Sequence, residues 1–231
     1  MEKVRISIFT DPMMGLSYES EPMLERLKAQ FPKQLEFRYV MSLLVRDVRD
    51  FMTWEERRLP PDEGIRVYNR RLAKIYKGEE SIGDLPINME GFRLFDEEHT
   101  SSLPLNLAYK AAELTDPERA EQFLLNLRRA TVVDTRPTTH MEEILDVVRT
   151  TGMDEEAFLA RYRDGSAMAA LEEDLALGCR LGIHSLPAYL LEYQGKSSLL
   201  RTFDTEAFAA AIRKILLEDS TEKSQAAETE N

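Results

Sequence analysis

Two strand-like stretches stand close together near the start of the chain, two more lie near its end, and a long helical run separates them. Residues 4–9, Val4-Arg5-Ile6-Ser7-Ile8-Phe9, alternate weakly and are rich in β-branched and aromatic side chains. A helix pattern follows from Ser20 to Gln30, with Ser20 as N-cap and Pro22 in the first turn, and Leu35-Glu36-Phe37-Arg38-Tyr39-Val40-Met41 returns to alternation. Strand, helix, strand at this spacing is a βαβ unit, whose right-handed crossover predicts a parallel pair. Between the first strand and the helix lies Asp11-Pro12-Met13-Met14-Gly15-Leu16-Ser17-Tyr18. Its backbone N–H groups meet a helix start, where partial positive charge favours a thiolate or another anion.

From Val45 to about Gly182 strand signals nearly vanish. Val45–Arg57 and Arg66–Lys77 read as helices around the breaker Leu59-Pro60-Pro61-Asp62-Glu63-Gly64, and residues 77–100 read as loop. Five clearer helices follow: Pro104–Leu114, one capped at Asp116-Pro117 and running to Thr131, one opened by Thr139, one capped by Met153-Asp154, and one beginning at Gly165-Ser166. The last carries Met168, Leu171, Leu175 and Cys179 at helical spacing, which predicts a buried Cys179 acting as a small hydrophobe. Pro187–Tyr193 and Ser197–Arg201 read as strands around Gln194-Gly195-Lys196, an antiparallel hairpin. A helix spans Thr202–Leu217, and the polar, acidic residues 218–231 have little to bury and are expected to be a disordered tail.

Three stretches in this order resemble the DsbA-like thioredoxin-fold family, including its FrnE group and the SpxH-type ClpXP adaptors. The frame Asp11-Pro12-Met13 with Tyr18 resembles the surroundings of that family's Cys-x-x-Cys pair, with Met14 and Ser17 standing where the cysteines would be. Ser102-Leu103-Pro104 followed by Ala108-Tyr109-Lys110-Ala111-Ala112-Glu113 is similar to a Ser-x-Pro-x-x-x-Ala-x-Lys-Ala-Ala-Glu segment. Leu181-Gly182-Ile183-His184-Ser185-Leu186-Pro187 looks like the family's Leu-Gly-Val-x-x-x-Pro loop, and Asp154–Phe158 matches as well. The resemblance implies an α/β, thioredoxin-like fold (βαβ…ββα), with residues 1–44 and 183–217 as the thioredoxin-like domain and 45–182 as an all-helical insertion domain. It also implies a cis Leu186-Pro187 bond facing the active-site loop, in a segment that binds an extended peptide or glutathione as an added strand.

The chemistry of the family does not carry over with the frame. Thiol–disulfide exchange needs a thiolate and a resolving thiol. Of 231 residues only Cys179 is a cysteine, Met14 is a thioether and Ser17 a hydroxyl. The expected role is therefore redox-inactive binding of a protein or peptide at Met13, Met14, Gly15, Leu16, Ser17, His184, Ser185, Leu186 and Pro187, with no catalytic residue, no metal and no cofactor. Two alternatives stand beside it: an enzyme similar to kappa-class glutathione transferases or their isomerase relatives, using Ser17 with glutathione, and a thiol–disulfide oxidoreductase by fold alone. Ser17 also has a plainer reading, as a hydroxyl that caps the following helix.

The remaining composition narrows the partners. A net charge of −12 argues against a nucleic-acid backbone, which needs clustered Lys and Arg. No run of roughly 18 apolar residues reads as a membrane span, and the start of the sequence shows no signal-peptide pattern, so the expectation is a cytoplasmic protein. His99, His140 and His184 have no metal-ligand spacing. Met13 and Met14 offer soft sulfur to Cu(I), but adjacent methionines more often fill apolar space.

Overall fold

A computed structural model describes residues 2–229 of the chain, with side chains described for residues 2–217. The first strand, β1 (Val4–Thr10), is buried on both faces because both receive cover. Val4, Ile6 and Ile8 enter a core with Met23, Leu24 and Leu27, while Phe9 points the other way to meet Val40, Ala188 and Leu190. Near-continuous apolar character is what a strand buried on both sides requires. β2 (Leu35–Met41) pairs parallel with β1, from Val4 opposite Leu35 to Thr10 opposite Met41, as the βαβ pattern predicts. β3 (Ala188–Tyr193) runs antiparallel to β1, and β4 (Lys196–Leu200) antiparallel to β3. The sheet order is β2-β1-β3-β4, a mixed, thioredoxin-like sheet.

Between β1 and β2 the helix comes in two pieces, α1 (Gly15–Glu19) and α2 (Glu21–Gln30). The expected helix from Ser20 to Gln30 stands as α2, with Ser20 before it and Pro22 in its first turn, and α1 is an extra turn ahead of it; Pro22 has no N–H to donate backwards, which separates the two. Ser20 closes α1, and its hydroxyl donates to the Ser17 carbonyl at 2.8 Å instead of capping α2.

The segment Val45–Arg57 is not one helix. It forms a 3-10 turn at Val48–Asp50 and then α3 (Trp54–Arg57). Asp47 accepts from the Arg49 N–H, and Thr53 with Glu56 makes a reciprocal capping box, so two separate starts compete with a continuous helix. α4 (Pro61–Glu79) begins inside the expected breaker, with Pro61 in its first turn, where a missing N–H costs little. α5 (Leu103–Thr115), α6 (Ala120–Val132), α7 (Met141–Thr150), α8 (Glu155–Arg163) and α9 (Ser166–Arg180) follow. α10 (Thr205–Thr229) starts later than expected because the Asp204 carboxylate accepts from the Glu206 and Ala207 N–H groups. The tail expected to be disordered from residue 218 continues instead as the backbone of α10 to Thr229, while residues 230–231 lie outside the described ones. Among the described residues no helix is long and apolar enough to cross a membrane.

The helices build a second core around Tyr68, Phe95, Phe123, Leu127 and Phe158. Yet α5, α6 and α9 also serve the sheet, through Tyr109, Ala120, Leu124 and Leu171. One buried ion pair fastens the two: Arg128 of α6, 1% exposed, binds Glu21 of α2 and donates to Thr10 Oγ1 of β1 at 2.8 Å.

Cys179 corrects the sequence reading, because it is exposed. The buried stripe of α9 runs through Ala167, Leu171 and Asp174 to Gly178, which lies against the Phe9 ring. Leu171 and Gly178 are seven residues apart and share a face, whereas the eighth residue on is turned some 80° toward solvent. Asp174 breaks the apolar pattern but faces inward, where it accepts from Arg38 Nη2 (3.0 Å) and the Met41 N–H (2.9 Å) and pairs with Lys110 (3.0 Å).

Removing one partner of the Arg128–Glu21 pair leaves an uncompensated buried charge. Arg128→Ala is expected to cost about 3–5 kcal/mol in urea denaturation, whereas Arg128→Met with Glu21→Gln recovers a large share of that loss.

Candidate functional site

Asp11 follows β1 and is fully buried. Its Oδ2 accepts from the Leu44 N–H (2.8 Å), Ser102 Oγ (2.7 Å) and Asn106 Nδ2 (2.8 Å), and its Oδ1 from the Met13 N–H (3.1 Å). Burial pushes its carboxyl above the ordinary range, against the pull of those donors. This single carboxylate ties the loop after β1 to the segment after β2 and to the start of α5.

The loop it holds is one wall of a cleft of about 490 Å³. Met13, Met14, Gly15 and Leu16 line that wall, Leu43–Val45 and the α4 residues Tyr68, Leu72 and Tyr76 line a second, and Ile183–Leu186 close the third. The Leu186–Pro187 peptide bond is cis. Of the residues singled out from sequence, Met13, Met14, Gly15, Leu16, His184, Ser185 and Leu186 thus meet at one cleft. Ser17 and Pro187 do not line it; both are buried behind it.

Ser17 sits in the middle of α1 and caps nothing. Its hydroxyl accepts from Thr10 Oγ1 at 2.7 Å and turns its own hydrogen toward Met14 Sδ at 3.9 Å. A serine only 1% exposed and engaged on both sides does not present its oxygen to a bound glutathione, which removes the geometric basis for the transferase-like alternative. Met13, 1% exposed, packs into the helical core while its carbonyl accepts from Tyr76 Oη at 2.7 Å. Met14, 6% exposed, lines the cleft as well, and its sulfur takes the contact from the Ser17 hydroxyl.

Sequence reasoning missed the α4 wall. Its signal was the spacing Tyr68, Leu72, Tyr76 and Glu79, one face of a helix. Glu79 comes so close to Gly15 that a Cβ there would stand 2.3 Å from Glu79 Oε2 and 3.1 Å from the Tyr76 ring, so any side chain at position 15 would have to push the Glu79 carboxyl aside. The anion anticipated at this helix start is therefore the chain's own. Burial drives Glu79 up to about 7, the Leu16 N–H draws it down, and the nearby Glu19 carboxylate adds to the rise. Arg71 at the rim is held by both Glu56 oxygens at 2.9 Å.

The structure also unites two histidines that sequence spacing kept apart. His99 and His140 stack with ring centroids 3.7 Å apart, and both turn a nitrogen to Asp96. His184 lies elsewhere, exposed at the cleft.

Comparison with known proteins agrees with this architecture. A family model described as Thioredoxin matches residues 8–198. The ClpXP adapter protein SpxH of Bacillus subtilis (strain 168) is 23% identical over 189 residues, 80% of this chain and 56% of that protein. SpxH of Halalkalibacterium halodurans is 21% identical over 198 residues, with 81% and 58% covered. The chain spans little more than half the length of these curated relatives. Among solved structures, a putative protein disulfide isomerase from Nitrosomonas europaea superposes with a TM-score of 0.71 at 15% identity, covering 96% of this chain and 99% of the other. The cytosolic disulfide reductase DsbM from Pseudomonas aeruginosa gives 0.67 at 20% identity, covering 92% and 98%.

Two outcomes test the site. Asp11→Ala strands two buried side-chain donors and two backbone N–H groups, and a loss of at least about 2 kcal/mol is expected in urea denaturation. Glu79, whose folded value lies above its ordinary 4.5, favours the folded chain fully below pH 4.5 and loses that contribution as pH rises through about 7. Wild type and Glu79→Gln should therefore have similar denaturation midpoints at pH 4.5, and the variant should be the more stable at pH 8.

Proposed function

This chain belongs to the thioredoxin family, and we propose that it serves as a non-covalent binding member of it, taking an extended segment of a partner protein into the cleft between Met14 and Leu186. The observation that carries this reading is a cleft built like a substrate site with no thiol on its walls: Cys179, the chain's one cysteine, is not among the lining residues. A thioether cannot attack a disulfide, and without a resolving thiol no exchange cycle closes within the chain.

What the walls offer suits a peptide. Phe51 and Ile75 are 44% and 47% exposed at the rim, the kind of uncovered apolar surface that marks an interaction site. Met14 supplies an adaptable side chain beside them. Ser185 is exposed, and its backbone N–H and carbonyl have no hydrogen-bond partner among the described residues. An extended chain laid along Ser185 and Leu186 would add main-chain hydrogen bonds to side-chain burial, the general mode of strand addition. The SpxH relatives, named as ClpXP adapters, support a protein as the occupant and an adaptor-type role.

Affinity capture of partners from the source cells tests this reading, with Leu186→Arg and Cys179→Ser as paired variants. Leu186→Arg is expected to reduce capture at least about tenfold, consistent with burying an unpaired charge, while Cys179→Ser captures as wild type does, with or without reductant. Capture that survives Leu186→Arg, or that is released by reductant and lost in Cys179→Ser, would overturn the proposal.

A further inference from the structure

A second group of side chains lies away from the cleft, where the loop between α4 and α5 meets the start of α7. We propose that Asp96, His99 and His140 form a binding site for a divalent first-row transition metal ion, with Glu142 as its outer carboxylate.

The donor atoms already converge. His99 Nδ1 lies 3.0 Å and 3.2 Å from the two Asp96 carboxylate oxygens, and His140 Nε2 lies 2.8 Å from Oδ2. One ligand atom from each of the three residues can be chosen so that all lie within 4.8 Å of one another. An ion with bonds of about 2.0–2.2 Å holds its ligand atoms roughly 3–3.5 Å apart, so these three enter one coordination shell once the stacked His99 and His140 rings pivot apart to aim their lone pairs at a common point. Two imidazoles and one carboxylate are a borderline nitrogen–oxygen set, suited to zinc, cobalt or iron(II) rather than to calcium or magnesium.

The surroundings are those of a prepared ligand set. Asp96 Oδ1 accepts the backbone N–H groups of Glu98 (2.9 Å) and His99 (2.8 Å), which fixes the carboxylate. His140, the N-cap residue of α7, has its other nitrogen 3.7 Å from the exposed Glu142 Oε1, so a small movement of the Glu142 side chain would give the ring a carboxylate partner. Asp96, His99, His140 and Glu142 line a cavity of about 570 Å³, which leaves room for water or an exogenous ligand on the open side of the ion. Arg66 and Arg93 share that cavity, but Asp62, Glu97, Glu98 and Glu142 balance them. A bound ion would fasten the 80–102 loop to α7, next to the existing bond from Thr139 Oγ1 to the Leu94 carbonyl at 2.6 Å.

Titration of the chelator-treated full chain with Zn²⁺ by calorimetry and with Co²⁺ by absorption tests the assignment. One ion per chain is expected, with a rise in Tm of roughly 5–10 °C at a hundredfold excess of ion over Kd. His140→Ala and His99→Gln should each weaken binding at least tenfold, as loss of one of three ligands requires, and Cys179→Ser should bind as wild type. The proposal falls if the folded wild type binds no stoichiometric ion, if both histidine variants keep wild-type affinity, or if bound Co²⁺ shows a thiolate charge-transfer band that Cys179→Ser removes.

Discussion

A carboxylate taken wholly out of water must be met by donors, and Asp11 is met from three separate parts of the chain. The Met13 N–H belongs to its own loop, the Leu44 N–H to the segment after β2, and Ser102 and Asn106 to the start of α5. These partners are themselves cross-linked. Ser102 Oγ accepts from the Val45 N–H at 3.2 Å, and Asn106 Oδ1 accepts from the Leu43 N–H at 3.3 Å. Desolvation makes each of these bonds hard to replace, since a stranded buried donor costs its full hydration. Two of the segments that wall the cleft, the loop after β1 and Leu43–Val45, meet at this carboxylate.

A second buried charge organises the opposite side of the same loop. Arg128 joins Glu21 and Thr10, Thr10 joins Ser17, and the Ser17 hydroxyl reaches the Met14 sulfur. Ser17, at the position that would carry a resolving thiol in a redox member, is held within the scaffold, while Met14 still lines the cleft. Shape and apolar lining survive such a change and nucleophilic chemistry does not. That division is the physical basis of the binding role proposed for the cleft.

Much of the fold was legible because it rests on local pattern. Alternation in residues 4–9, 35–41 and 188–193 and the short Gln194-Gly195 turn define the sheet, and β1–β2 and β3–β4 pair as the pattern requires. The errors fall where a side chain competes with the backbone or a polar group turns inward. Asp47 and Thr53 split one expected helix into a turn and a short helix. Asp174 displaces the apolar stripe of α9 by one position, and Cys179 emerges on the surface. Helical spacing puts Glu79 on one face with Tyr68, Leu72 and Tyr76, but nothing near it in sequence indicates that its carboxyl lies against Gly15.

The sequence by itself determined the order of strands and helices, the loss of paired thiols at Met14 and Ser17, and the glycine and proline that shape the two cleft loops. These follow from residue type and short-range spacing. Only the tertiary structure decided that Met14 lines the cleft while Ser17 does not, that α4 supplies a wall with a carboxyl poised near neutrality, and that His99 and His140, 41 residues apart in the chain, share one aspartate. Each of those outcomes depends on which groups lose water together and which partners remain to satisfy them, and that is settled by packing between distant segments.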